Sequence, residues 1–189
     1  MKPSYRPDLY LTLIHHPVVN KGGDTIASSV TNLDLHDIAR ASRTYGVRAF
    51  YVVTPLEDQK KLVERIVDHW VSGAGAAYNP MRREALELIR IARSAEAVYE
   101  DIRRRGGGIP KSVVTTAQSG GPTISCGELR GMLRSGGPYL LNFGTAWGLS
   151  KEFISGADYV LEPIKGNTDY NHLPVRSAVS IILDRLVGR

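Results

Sequence analysis

Residues Tyr159–Arg185 read YVLEPIKGNTDYNHLPVRSAVSIILDR. The stretch opens as an apolar strand, Tyr159–Ile164. A polar loop, Lys165–His172, follows, punctuated by Gly166, Asn167 and Asn171. It closes as an amphipathic helix with Pro174 in its first turn, where a fixed φ and a missing N–H are both tolerated. Strand, tight polar loop and helix is the arrangement that holds a small ligand at the carboxyl end of a parallel sheet.

The rest of the chain repeats that alternation. Leu9–Ile14 (LYLTLI) and Phe50–Val53 are apolar and β-branched with little alternation, as strands buried on both faces must be. VVNKGGDTIASSVTN between them reads as a loop. Asn32 or Asp34 caps a helix that Gly46 ends. Glu57–Val71 carries Leu62, Val63, Ile66, Val67 and Trp70 at helical spacing, and Gly73 and Gly75 close it. Ala85–Ala92 (ALELIRIA) alternates in a way that favours a strand, with helix as the other option. Ser94 caps a helix stopped by Gly106–Gly108, and Ser112–Ala117 is the next strand. Ser125 and Glu128 form a capping box. Tyr139–Phe143 is a strand, and Ser150 caps a short helix before the closing stretch. The order predicts a single α/β domain over residues 1–189, with a mainly parallel sheet and helices on both faces.

Composition bounds the partners. The chain has 189 residues, a net charge of +5 and a pI of about 9.4, and 17 of its 24 basic residues are arginine. That balance suits an anionic partner, with RNA or DNA the leading class. No apolar run is long enough to span a membrane, and MKPSYRPDLY lacks the apolar core of a signal peptide, so a cytoplasmic protein is expected. Cys126 is the single cysteine. It cannot found a disulfide framework and reads as a small buried residue.

Three successive loops follow late strands, Thr115–Pro122, Asn142–Leu149 and Ile164–Leu173. Parallel strands bring their carboxyl ends to one edge, so the loops should converge there. Their glycines either let backbone groups approach a ligand or simply make turns. The dinucleotide pattern G-x-G-x-x-G, the Walker A loop and the G-x-S-x-G elbow are all absent. His15 and His16 are adjacent and would face opposite ways in a strand, so they do not read as a metal pair. No metal site is expected.

NFGTAWGL after a strand, followed by EPIKGNTDYNHLPVRSAVSIILDRL, resembles the second and third motifs of SPOUT (SpoU–TrmD) class RNA methyltransferases. DLHDIARASRTYGVRAFYVVTP is similar to that class's first motif, an arginine-bearing helix leading into a strand. The resemblance covers most of the chain, and is strongest to a small bacterial family also found fused to tRNA guanine methyltransferases. It implies a C-terminal deep trefoil knot, an exception to the general rule against knots. It implies S-adenosylmethionine held by the three loops. Thr115, Thr116 and Ala117 would lie in the first, Gly144, Thr145 and Gly148 in the second, and Ile164, Gly166, Tyr170, Asn171 and Leu173 in the third, with Leu141 helping to line an adenine slot. Arg40 matches the first-motif arginine and becomes the candidate catalytic residue, while Asn32, Arg43 and His172 become substrate contacts.

The implied function is S-adenosylmethionine-dependent methylation of RNA, with tRNA as substrate and a ribose 2′-O as acceptor. Base methylation and a non-catalytic RNA-binding module on the same fold are the alternatives. The implied assembly is a homodimer that associates with other tRNA-modifying enzymes. Several residues have a plain structural reading beside the functional one. Arg40 suits a helix C-terminus, Asn171 could cap the last helix, His172 could bond backbone, and Trp147 could fill a core or dimer gap instead of stacking on a base.

Overall fold

The computed structural model of the chain describes residues 7–118 and 120–188. Its strands are β1 (Leu9–Ile14), β2 (Val18–Val19), β3 (Thr25–Ile26), β4 (Phe50–Val53), β5 (Ile89–Ala92), β6 (Lys111–Thr115), β7 (Tyr139–Gly144) and β8 (Tyr159–Leu161). Its helices are α1 (Asn32–Thr44), α2 (Glu57–Val71), α3 (Ala74–Tyr78), α4 (Pro80–Leu86), α5 (Ala95–Arg104), α6 (Cys126–Ser135), α7 (Lys151–Ser155) and α8 (Val175–Val187).

Six strands form one sheet in the order β5-β4-β1-β7-β6-β8, and every pairing within it is parallel. The two-stranded antiparallel hairpin β2–β3 stands apart. β1 lies in the middle and is buried at all six positions, which is why its sequence shows no polar alternation. Leu9, Leu11 and Leu13 face a core shared with Leu35 and Ile38 of α1, Leu129 of α6 and Leu183 of α8. Tyr10 and Ile14 face the other way, onto Val98 and Ile102 of α5. Helices therefore cover both faces, and each buried leucine or isoleucine contributes about 1.5–3 kcal/mol of transfer free energy.

One polar seam crosses the sheet. Thr12 Oγ1 donates to Asn142 Oδ1 at 2.7 Å, and Asn142 Nδ2 donates to Ser112 Oγ at 3.1 Å and to the Leu140 carbonyl at 3.2 Å. Thr12 and Asn142 are buried. Such a satisfied network fixes the mutual register of β1, β7 and β6, because a slip on any strand would strand its polar atoms in the core.

Most expected elements are present, and the differences have local causes. Within Ala85–Ala92 only Ile89–Ala92 is strand, while Ala85 and Leu86 end α4. The start signal for α4 was legible, since Pro80 follows Asn79, whose Oδ1 accepts from the Arg82 amide at 3.0 Å. VVNKGGDTIASSVTN holds the β2–β3 hairpin, with Gly23 at φ 89° in its turn. Thr31, rather than Asn32 or Asp34, caps α1, its side chain accepting from the Asp34 amide. β6 runs one residue earlier than expected and stops at Thr115. β8 stops at Leu161, short of Ile164. Glu162 still donates to the Ile124 carbonyl at 2.9 Å, but Pro163 has no N–H to continue the ladder. The last helix begins at Val175, with Pro174 as its cap residue.

Candidate active site

β6, β7 and β8 release three loops at the carboxyl edge, and two contacts join them. Asn171 Nδ2, after β8, donates to the Ala117 carbonyl, after β6, at 3.0 Å. The His172 ring lies 6.5 Å from that of Trp147, after β7, and 6.4 Å from that of Tyr170. Asn171 is thus a strap between loops and not the cap of α8, which has no side-chain cap bond. Trp147, Tyr170 and Leu173 are largely exposed, so Trp147 fills no core gap in this chain.

The first loop is held at its root, where Thr115 Oγ1 donates to the Asn142 carbonyl at 3.0 Å. Thr116 Oγ1 accepts from the Gln118 amide at 3.0 Å, a local turn. A cavity of about 580 Å³ opens beside this loop, lined in part by Thr116, Gly120, Gly121, Ile124, Ile154 and Tyr159. Its lining includes no residue of the second or third loop.

The second loop is the most constrained. Val19 of β2 donates to the Gly148 carbonyl at 2.9 Å, and the Trp147 amide donates back to Val19 at 3.1 Å. A Cβ on Gly144 would sit 2.7 Å from the Leu149 nitrogen, and Gly148 has φ 107°. Both glycines are therefore demanded by the loop's own geometry and say nothing by themselves about a ligand. Ala146 has φ 51°, an unusual conformation for a residue with a side chain. Gly166, in the third loop, has open space around it. Leu141 is fully buried between Leu11 and Val113 on the neighbouring strands and has no surface to offer a ligand. Ile164 is half-buried against the core.

Thr145 is tied inwards. Its Oγ1 donates to the Ile14 carbonyl at 3.1 Å and lies 2.5 Å from Ser28 Oγ, which lies 3.0 Å from Nδ1 of the buried His15. His15 and Ser28 carried no motif in the sequence and were missed.

Arg40 lies on α1 with 59% of its side chain exposed, 4.0 Å from Asp37. Asp37 also meets Arg176 of α8 at 3.4 Å, and Arg176 reaches Asp34 at 3.5 Å. Asp37 thus stands between the arginine of α1 and the helix that follows the third loop. Among the described residues no ion pair or hydrogen bond joins Arg40 to the three loops directly. Arg43 pairs with Glu84 of α4 at 3.0 Å, and Asn32, first residue of α1, is exposed. Arg82 stacks on Trp70, its guanidinium carbon 4.8 Å from the ring centre, and Arg83 pairs with Glu87. Arg104 and Arg105 both pair with Asp101 on α5. Arg40, Arg43 and Arg82 gather around the packed pair α1 and α4, where Arg40 and Arg82 both act on the half-buried His36, whereas Arg104 and Arg105 lie on α5 across the sheet. Among the described residues no cluster of three or more His, Cys, Asp or Glu side chains could hold a metal, and no helix is long and apolar enough to cross a membrane.

Comparison with known proteins places this geometry. Residues 8–188 match the family model described as SAM-dependent RNA methyltransferase. The chain belongs to that family. Its cofactor is accordingly S-adenosylmethionine. A relative from Nitratidesulfovibrio vulgaris, named tRNA (guanine-N(1)-)-methyltransferase, is 46% identical over 181 residues, which is 96% of this chain and 42% of the relative. The chain thus spans about two-fifths of that relative's length. In fold, the chain resembles a methylase family protein from Neisseria gonorrhoeae, with a TM-score of 0.66 and 16% identity, covering 100% of this chain and 85% of that one. It also resembles the TrmH/SpoU tRNA modifying enzyme of A. aeolicus, with a TM-score of 0.56 and 16% identity, covering 97% and 75% of the two chains. The chain shares the mainly parallel α/β fold of these neighbours.

The three loops suit the cofactor chemically. Adenine is recognised by backbone N–H and C=O groups beside apolar surface. Ile164 and Leu173 offer such surface next to loop backbone.

Proposed function

We propose that this protein methylates tRNA, with a ribose 2′-hydroxyl as the acceptor. The observation that carries the reading is the strap from Asn171 to Ala117, which draws the first and third loops together beside the second. S-adenosylmethionine supplies an electrophilic methyl group on a sulfonium. Thr115, Thr116, Ala117, Gly144, Thr145, Gly148, Ile164, Gly166, Tyr170, Asn171 and Leu173 are the residues proposed to cradle it. Methyl transfer is an in-line displacement, so holding the acceptor in place supplies much of the acceleration. A ribose hydroxyl loses its proton as it attacks, and a nearby cation stabilises the developing alkoxide. Arg40, exposed and only loosely paired, is the cation proposed for that role. Asn32, Arg43 and His172 are proposed to hold the RNA.

The reading extends to assembly. The chain crosses β6 on its way from β7 to the edge strand β8, an order compatible with the knotted carboxyl end proposed for this fold. Leu33, next to Asp34 in the chain, and Leu173, shortly before α8, are exposed, and the Arg176–Asp34 ion pair joins α8 to α1. Uncovered apolar side chains at the joint of α1 and α8 support a homodimer built there. We place the enzyme in the cytoplasm, as one folded unit, working beside other tRNA-modifying enzymes.

A second reading is methylation of a guanine base, which the name of the N. vulgaris relative favours. That acceptor must give up a ring proton to a base, and Asp169 in the third loop is the carboxylate available. Digesting tRNA methylated by the protein and identifying the product nucleoside by mass spectrometry separates the readings. A 2′-O-methyl nucleoside supports the first, N1-methylguanosine supports the second, and unmethylated tRNA refutes both.

A further inference from the structure

We propose that His15 is a positioning residue for the loop Thr145–Leu149, acting through Ser28 as a neutral imidazole that carries its proton on Nδ1. The proposal rests on the reading of that loop as part of the cofactor cradle only for its catalytic consequence.

The Ile14 carbonyl, which also accepts from the Thr145 amide at 3.2 Å, sets the direction assigned to each proton. Thr145 Oγ1 lies 3.1 Å from the Ile14 carbonyl, and a carbonyl oxygen can only accept. Thr145 must therefore donate there, which spends its one hydroxyl proton. At 2.5 Å from Thr145, Ser28 must then be the donor. With its own proton spent, Ser28 accepts from the ring nitrogen 3.0 Å away, so Nδ1 of His15 bears a hydrogen. Nε2 is left with a lone pair, and it is buried without a hydrogen-bond partner among the described residues. A second proton there would create a buried charge whose N–H has no acceptor, which a 0% exposed site strongly disfavours. Burial accordingly pushes the ring's pKa down to about 4, against a smaller opposing pull from Asp34 and from the Ser28 and Ser29 backbone.

The chain joins three segments remote in sequence: the end of β1, the approach to α1 and the loop after β7. His15 grips Ser28 twice, since the Ser28 amide also donates to the His15 carbonyl at 2.8 Å. The beneficiary is a loop that needs holding. Ala146, directly after Thr145, sits at φ 51°, and a residue in that region persists only where its surroundings over-determine it. Because His15 is enclosed, it cannot touch substrate, and its role is confined to orientation.

Two measurements test this. A long-range proton–nitrogen NMR spectrum of the histidine rings at pH 7 should give the Nδ1–H tautomer for His15, and the Nε2–H tautomer would overturn the proposal. Hydrogen exchange of the Thr145–Leu149 amides should quicken about tenfold in His15→Leu and in Ser28→Ala, the scale of one buried hydrogen bond. His15→Asn, whose amide can donate from a similar place, should stay within about threefold of the natural protein. Ser28→Ala removes one oxygen atom and keeps the test informative if His15→Leu does not fold. Unchanged exchange in Ser28→Ala overturns the proposal. Titration of the same variants with S-adenosylmethionine should show the same ranking. A natural protein that binds none of it refutes the cofactor cradle, while the tautomer and exchange rates still decide the role of His15.

Discussion

The side-chain amide of Asn171 donates to the Ala117 carbonyl across 3.0 Å, although 54 residues separate them in the chain. One exposed hydrogen bond thus ties the loop after β6 to the loop after β8. Asn171→Ala should weaken S-adenosylmethionine binding by about three- to tenfold, the range of a single net hydrogen bond. The melting temperature should hardly move, because both partners are solvent-accessible. Calorimetric titration alongside a thermal scan checks the two halves of this statement. Unchanged affinity would remove the strap from the site.

Arg40 should separate binding from chemistry. Arg40→Ala is expected to bind the cofactor as the natural protein does and to lose about 100-fold or more in single-turnover methyl transfer, the scale seen when one charge-stabilising donor is removed. Arg40→Lys keeps the charge but not the planar fork, and should recover only part of the loss. Full activity in Arg40→Ala would assign the alkoxide to some other group.

Gly144 and Gly166 should respond oppositely to alanine. At Gly144 the added methyl meets the Leu149 backbone nitrogen at 2.7 Å, so a packed loop must shift, costing about 1–3 kcal/mol. At Gly166 the methyl meets nothing within 4 Å, and stability should hold or rise slightly. Chemical denaturation measures both. A Gly166→Ala protein that is stable yet binds the cofactor poorly would show that the backbone there closes on the ligand.

Asn142 is the hub of the polar seam. Asn142→Leu leaves Thr12 and Ser112 without their shared partner inside the core, and should cost about 2–4 kcal/mol. For a chain of this size that lowers the melting point by roughly 5–15 °C. Asn142→Ala with Thr12→Val should be less damaging than the sum of the two single changes, as a double-mutant cycle would record.

Stability should fall on mild acidification, with His15 as one cause. Its pKa is lowered from 6.5 to about 4 in the folded protein. A group with a depressed folded-state pKa binds protons more readily when unfolded. Its contribution is therefore complete above about pH 6.5 and is lost as the pH falls towards 4, amounting to about 3 kcal/mol in all. Denaturation midpoints taken between pH 7.5 and 4 should trace this slope, and His15→Asn should flatten it.

The sheet was legible because its strands are apolar on both faces and its helices carry explicit caps. Ser94, Ser125, Ser150 and the glycine after α1 all mark ends that the structure keeps. The three loops were legible because parallel strands must deliver their ends to one edge. What could not be read is pairing at a distance. Nothing local to His15, Ser28 or Thr145 announces that they meet, and a two-residue strand such as Val18–Val19 has too little sequence to signal itself. Leu141 was misjudged because an apolar residue near a loop looks the same whether it lines a slot or fills a core. Gly144 and Gly148 suit both a ligand's approach and a plain turn in the sequence, and the Leu149 contact and a positive φ give the turn its own reason for them.

The central place of β1 also bears on how the protein is made. Leu9–Ile14 is synthesised before both of its neighbours, β4 and β7, and the latter ends at Gly144. Until Gly144 has been translated, one flank of a largely apolar segment therefore has no native partner, and such segments readily pair with the wrong chain. Yield in the cell should thus depend on how quickly translation reaches Gly144, and on whether a chaperone shields Leu9–Ile14 until then.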